Sequence, residues 1–420
     1  MLKTLLKLHR IFLLVLFFQA GPLCVRAQSG EENLTFELLT CSPGTEVYEL
    51  YGHTALRVTD DKGLDVVFNY GVFNFNQPYF VWHFVLGQTD YMVQPIPFQL
   101  FMVAYEERGS SVTSQRLNLT KEEATKLMRS LMDNALPQNR EYRYNYLTNN
   151  CTTKVRDMIE HAIEGEVMYK EAEKHTFREC IHQYTKGHPW AELGNDMLLG
   201  ASVDTVLTDR RSAFLPERLM NFYRDAVIYD VEGNSRPLLI GGAKVLLAKK
   251  SMPSQPEFPL SPLTMVLCLA GLSLLVFACE IFFKRMIWGY DMLLMIALGL
   301  GGLLVAFMFF FSEHPSVGTN WQIWLFNPIP LVCMPWVVWC AIKRRYCLYH
   351  LANMAWLVLF LAFSPWIPQQ FAVTTIPLAC ILLLRPVSYY IYYSRVLGKK
   401  QEANPDKTTQ KSVSKRKAES

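Results

Sequence analysis

Residues 260–285 read LSPLTMVLCLAGLSLLVFACEIFFKR, an apolar run closed by a basic pair. A stretch of about 20 such residues is long enough, as a helix, to cross the hydrocarbon of a bilayer. Reading outward, four more segments of this kind follow at roughly 288–311, 322–342, 346–364 and 371–394. The joints between them alternate in charge. Lys284-Arg285 follows the first span, and residues 312–321 carry no Lys or Arg after the second. Lys343-Arg344-Arg345 follows the third, residues 364–370 again lack Lys and Arg, and the tail beyond Arg395 is rich in Lys. Basic joints stay in the cytoplasm, so five spans with an exported N-terminal part and a cytoplasmic C-terminus are expected.

The N-terminus predicts the same orientation independently. Lys3, Lys7 and Arg10 precede the apolar stretch Ile11–Ala20, and Val25-Arg26-Ala27 reads as a signal-peptide cleavage site. Cleavage after Ala27 is the reading adopted; a retained signal anchor is the alternative, for which the apolar run is short. Over the 420 residues, apolar types reach 51% and charged types only 19%, an excess concentrated in 258–396. The net charge of +4 comes with no basic stripe interleaved with aromatics, which argues against a nucleic-acid partner.

The exported part reads as α+β. Thr54–Val58 and Val66–Tyr70 are β-rich and separated by Asp60-Asp61-Lys62-Gly63, a hairpin pattern. Thr120-Lys121-Glu122-Glu123 is a capping box that opens a helix to about Asn134. A second helix is expected over 152–162, where Val155, Met158, Ile159 and Ala162 share a face. The expected plan is a signal peptide over 1–27, a catalytic domain over 28–245, a Pro-rich linker over 246–259, a membrane domain over 260–396, and a basic, disordered cytoplasmic tail over 397–420.

Ten cysteines sort by compartment. Cys24 leaves with the signal, and Cys268, Cys279, Cys333, Cys340, Cys347 and Cys380 lie in or beside apolar spans. The exported domain keeps Cys41, Cys151 and Cys180, an odd number that leaves at least one thiol unpaired. Asn149-Asn150-Cys151-Thr152 puts Cys151 at a helix start, where free N–H groups and positive potential lower a thiol's pKa and can hold an oxyanion. Tyr51-Gly52-His53-Thr54 puts a His at a strand start, and a His paired to that thiol makes an activated nucleophile. The bland alternatives are a structural His53 and a Cys151 bonded to Cys41 or Cys180. A third group should orient the imidazole; Asn69 is the choice and Asp65 the alternative. Tyr144, Asn145 and Asn150 are candidates for an oxyanion or substrate contact, although an Asn beside a helix start is often only a cap. The aromatic run from Phe68 to Tyr105 is either core or an acyl-chain groove facing the bilayer, and His83 within it reads as structural. His314, Asn320 and Asn327 are expected to line a polar mouth facing Cys151, the alternative being a plain connecting loop.

His on a strand followed by Cys on a helix resembles the permuted papain-like group that includes lecithin:retinol acyltransferase, matched by His53 and Asn150-Cys151. More closely, the chain resembles a Bacteroidota-type family of lipoprotein N-acyltransferases. The matching stretches are 52–58, Phe68-Asn69-Tyr70-Gly71-Val72-Phe73 and 149–157, with Trp190, Leu198-Leu199-Gly200, Phe214-Leu215-Pro216-Glu217, His314-Pro315, Asn320 and Asn327-Pro328. The resemblance implies an α+β permuted papain-like extracytoplasmic domain followed by an all-α bundle of five transmembrane helices. It implies an acyltransferase of the bacterial inner membrane, with its catalytic domain on the periplasmic side. A membrane phospholipid would be the acyl donor, Cys151 the thioester carrier, and the α-amine of diacylglyceryl-modified lipoproteins the acceptor. That chemistry calls for no metal or soluble cofactor. A membrane-anchored hydrolase with the same dyad (a phospholipase or peptidoglycan amidase) and a non-enzymatic lipoprotein-binding scaffold are the competing readings.

Overall fold

The computed structural model describes residues 33–73, 78–251 and 258–402. The signal segment 1–27, Phe75 and the tail beyond 402 lie outside them.

The N-terminal part is built on a seven-stranded sheet. In chain order its elements are β1 (Thr35–Cys41), β2 (His53–Thr59), β3 (Asp65–Val72), α1 (Phe80–Leu86), β4 (Asp90–Pro97), α2 (Phe98–Arg108), β5 (Val112–Arg116), α3 (Lys121–Asn134), β6 (Glu141–Arg143) and α4 (Cys151–Ala162). They are followed by β7 (Glu166–Met168), α5 (Phe177–Thr185), α6 (Pro189–Leu198), α7 (Asp209–Ser212), α8 (Pro216–Asp225), β8 (Val227–Tyr229), β9 (Ser235–Pro237) and β10 (Lys244–Leu247). The sheet runs β10-β5-β1-β2-β3-β4-β6, antiparallel at every pairing, and β7-β8-β9 form a small second sheet. The expected hairpin is β2–β3, with Leu56 opposite Phe68.

Side chains alternate across a strand, and here each face has its own cover. Leu38, Leu56, Val58 and Phe68 pack with Leu127 and Leu131 of α3 and Val155 and Ile159 of α4. Leu39, Ala55 and Val67 pack on the other face against Phe101 and Tyr105 of α2. Each fully buried Val, Leu, Ile or Phe among them contributes about 1.5–3 kcal/mol. The Thr120–Glu123 capping box opens α3 as the sequence implied. Residues 246 and 247, read as the start of the linker, instead belong to β10, whose backbone bonds to β5 at the sheet edge. Leu246 and Leu247 are held there because they pack against the Leu39–Phe101 side of the sheet.

The C-terminal part has five segments long and apolar enough to cross a membrane. They are α9 (Pro262–Phe283), α10 (Trp288–Phe311), a broken third span ending in α11 (Ile329–Ile342), α12 (Leu348–Phe363) and α13 (Thr375–Glu402). The third span, expected as one helix over 322–342, is a short 3₁₀ turn at Trp321–Trp324, a non-helical joint, then α11. Pro328 and Pro330 lack the N–H that a continuous helix needs, and Asn327 Oδ1 accepts from the Ile329 amide to restart it. Gly302 of α10 leaves room for this joint, since a Cβ there would collide with the Asn327 backbone. Inside the bundle Arg385 of α13 pairs with Asp291 of α10 at 2.6 Å and Glu280 of α9 at 2.8 Å.

The outer joints 312–321 and 364–370 both meet the N-terminal domain, on one side of the bundle. Ser312 Oγ donates to Val85 O at 2.8 Å, and the Glu313 amide to Leu86 O at 2.8 Å. The Gly200 amide donates to Ser316 O at 3.1 Å, and Gln369 Nε2 to Leu199 O at 3.4 Å.

Candidate active site

The helix start at Cys151 is made by one residue. Asn150 Oδ1 accepts from the Thr152 and Thr153 amides at 2.8 and 2.9 Å, and its own amide donates to Thr153 Oγ1 at 2.8 Å. Its Nδ2 donates to Tyr146 O at 2.8 Å and Phe214 O at 3.0 Å. All the hydrogen-bonding capacity of the Asn150 side chain is therefore spent on the fold. Asn150, expected as a substrate contact, borders the cavity beside Cys151, and its side chain serves there as a cap and a tether. The same geometry narrows the expected oxyanion hole. Of the first three helix amides, those of Thr152 and Thr153 serve the cap, which leaves the Cys151 N–H for a ligand.

His53 opens β2, and its Nε2 lies 2.6 Å from Asn69 Oδ1 on β3. The ring stacks on Tyr105 with centroids 6.1 Å apart, and its remaining nitrogen is left for the thiol. Asp65, the alternative orienting group, is held elsewhere: it takes both the Nε and Nη2 hydrogens of Arg57, at 2.7 and 2.8 Å. Thr54 Oγ1 and Thr152 Oγ1, 3.0 Å apart, fasten the His strand to the Cys helix. Gly71 sits at φ +89°, where a Cβ would lie 3.4 Å from Cys151 Cβ and 4.0 Å from His53 Cε1. The left-handed φ would strain a side chain there, and even a methyl group would sit in contact with the dyad.

The electrostatics single out one thiol. Burial works against a Cys151 thiolate, but the His53 charge and hydrogen bond, the Thr54 amide and the Thr152 hydroxyl together lower its pKa below the ordinary 9.0. Burial pushes the Cys41 thiol far up, and the Cys180 thiol up as well. All three are free, and Cys41 and Cys180 sit in different core clusters.

These groups open on a cavity of about 670 Å³. Tyr144 lines it, its ring stacked 4.1 Å from that of Tyr91. Burial, and then the nearby Cys151 charge, hold its phenol well above the ordinary value, so it stays a protonated donor. His314 also lines the cavity and donates from Nε2 to Phe84 O at 2.9 Å. Two companions expected beside it are elsewhere. Asn320 is buried between domain and bundle, donating to Met197 O at 2.8 Å and accepting from Gln369 at 3.0 Å. Asn327, just before α11, accepts from the Ile329 amide and borders a separate cavity of about 180 Å³ within the bundle. A polar residue next to a Pro reads alike as cap and as ligand, and only packing separates the two.

The aromatic run splits between both readings. Phe68 and Phe101 are core, Tyr91 and Tyr105 are buried yet reach the cavity, and Phe73 and Phe84 line it with Leu198, Leu199, Phe214 and Met308. Those last four carried no role in the sequence reading; the signal available was that 198–200 and 214–217 are apolar segments in an otherwise polar region. His83 is exposed and lies off the cavity. Among the described residues, His182, Glu192 and Asp196 hold ligand atoms within 4.8 Å of one another. Asp196 is already spent on Arg178 at 2.7 Å and His182 at 2.9 Å, so the group reads as an ion-pair network.

A family model described as the Lnb N-terminal periplasmic domain matches residues 25–183, and one described as the Lnb transmembrane domain matches residues 253–396. The chain belongs to the Lnb lipoprotein N-acyltransferase family. It is a membrane-anchored, lipoprotein-modifying member, with a periplasmic α+β domain ahead of five candidate transmembrane helices. His53, Asn69, Tyr144 and Cys151 all lie within the Lnb periplasmic match, and His314 within the transmembrane one. Comparison with curated proteins and with solved structures found no match.

Proposed function

We propose that this Lnb-family protein is a thiol-dependent acyltransferase that moves an acyl chain from a membrane phospholipid to the α-amine of diacylglyceryl-modified lipoproteins. The observation that carries the reading is the Cys151–His53–Asn69 arrangement, with a lowered thiol, in a cavity that the membrane bundle helps to wall. The resemblance of the sequence to lipoprotein N-acyltransferases supplies the substrates.

His53 takes the Cys151 proton, and the thiolate attacks the carbonyl carbon of an acyl ester. The oxyanion of the tetrahedral intermediate accepts from the Cys151 amide and the Tyr144 hydroxyl, donors whose placement before the reaction lowers its barrier. The intermediate collapses to a thioester as the lysophospholipid alkoxide leaves, and His53 returns the proton to that oxygen. The neutral α-amine of the lipoprotein then attacks the thioester. His53 takes the amine proton, the amide forms, and the thiolate is regenerated. Asn69 holds the ring through Nε2 and does not itself exchange protons. The fall from thioester to amide drives the second half. The reading places the protein in the inner membrane, with the phospholipid and the lipoprotein as partners.

Intact mass of protein incubated with vesicles of a chain-labelled phosphatidylethanolamine tests this. A labelled acyl adduct on Cys151 that moves to the amine of a diacylated lipopeptide is the expected result. Release of the label as free fatty acid would make the protein a hydrolase. Wild-type transfer by Cys151→Ser would remove the thioester from the mechanism.

A further inference from the structure

Helix α1 is seven residues long, and nearly all of them are apolar. A short helix of a soluble domain would turn such residues inward, yet Val81 is 73% and Trp82 54% exposed, next to Tyr79 at 80%. Phe84, on the opposite side of the helix from Trp82, lines the cavity that holds Cys151. The element thus has one apolar face toward the reacting thiol and one that is largely exposed.

Its neighbour says what covers that second face. The Trp82 ring packs 5.1 Å from Phe307, near the outer end of α10, and α10 goes on to the exposed Phe310 and Phe311. The end of α1 is fastened to the residues that follow α10 by backbone. Val85 O and Leu86 O accept from Ser312 Oγ and the Glu313 amide, both at 2.8 Å, and Phe84 O accepts from His314 Nε2. Arg143 and Gln88 hold Glu313 from the domain side at 3.0 and 2.7 Å. These bonds leave α1 level with the outer end of a transmembrane helix, its exposed face continuous with a lipid-facing surface. Aromatic residues favour that depth.

We propose that α1 is seated in the outer leaflet of the membrane and forms one wall of a lateral portal, through which a phospholipid acyl chain passes along the α1–α10 seam to Cys151. The outer rim of the seam is Trp82 and Phe307, and its inner rim is Phe84 and Met308. The seating of α1 stands on the geometry alone; the passage of a donor chain rests on the acyltransferase reading above. The outer leaflet is the source because the seam lies at the periplasmic end of α10.

Two measurements on the full chain in phosphatidylethanolamine–phosphatidylglycerol vesicles test it. A photoreactive diazirine amino acid in place of Val81 should yield phospholipid adducts on irradiation. Adducts to protein alone, or none to lipid, would mean that α1 docks a polypeptide or faces water, and would overturn the seating. Val81→Asp places a charge in the leaflet, which is unfavourable. The ratio of Cys151 acylation by vesicle phospholipid to acylation by a water-soluble short-chain nitrophenyl ester should fall roughly tenfold. An unchanged ratio, or equal loss with both donors, would overturn the portal. Should phospholipid never acylate wild-type Cys151, the function reading fails by itself, and the photo-adduct still decides where α1 sits.

Discussion

Asn69 Oδ1 stands 2.6 Å from His53 Nε2, two side chains sixteen positions apart on adjacent antiparallel strands. The bond commits Nε2 and turns the other ring nitrogen to the thiol. Asn69→Ala frees the ring to rotate, and Cys151 acylation should slow by roughly 10- to 100-fold, the scale seen when a metal-bound His loses its orienting hydrogen bond. Asp65→Ala should leave the rate near wild type, because Asp65 serves Arg57. Rapid-quench mass spectrometry of the acyl-enzyme compares the two variants. Equal losses would show that Asn69 has no special hold on the ring.

The thiol should reveal its setting through pH. With Cys151 lowered below the ordinary 9.0, its alkylation rate should reach half its plateau below that pH. In His53→Ala the imidazole no longer offsets burial, so the midpoint should rise and alkylation at neutral pH should slow. Iodoacetamide rates at the Cys151 peptide across pH 5–10 check the direction. A midpoint that stays put in His53→Ala would show that the imidazole does not stabilise the thiolate.

Asn150 is read as a cap rather than a ligand, which stability can test. Asn150→Ala should cost about 0.5–2 kcal/mol from the lost cap alone, and more because the carbonyls of Tyr146 and Phe214 lose their donor. Asn150→Asp keeps an acceptor for the Thr152 and Thr153 amides and should lose less. Thermal unfolding in detergent ranks the two; the reverse order would contradict the assignment.

In the bundle, Arg385→Met strands two buried carboxylates, Glu280 and Asp291. Breaking one side of a buried pair costs about 3–5 kcal/mol, whereas removing every charge together is far milder. Arg385→Met should therefore unfold at a markedly lower temperature than the triple change Arg385→Met, Glu280→Gln, Asp291→Asn. A triple variant less stable than the single one would mean that the charges are needed as charges.

Local patterns carried the elements of this protein. The apolar lengths after 260 determined five candidate spans, because a bilayer imposes length, and the charged joints imply their direction, because the cell imposes charge asymmetry. The hairpin at 54–70, the box at Thr120 and the helix at 151–162 were legible because turn and cap chemistry act over a few residues. His53 and Cys151 could be singled out by residue type and by their place at element starts.

What the sequence could not decide was how each polar group spends its hydrogen bonds. Asn69 and Asp65 are both polar residues on β3, but only the sheet register and the position of Arg57 send one to His53 and the other away. Asn150, Asn320 and Asn327 look as available as Tyr144 and His314 until packing assigns them a cap, a domain seam and a helix restart. Leu198, Phe214 and Met308, from three distant segments, become one cavity wall only when the domain settles on the bundle. A hydrogen bond or a contact belongs to a pair, and for partners far apart in the chain only the tertiary structure chooses the pair.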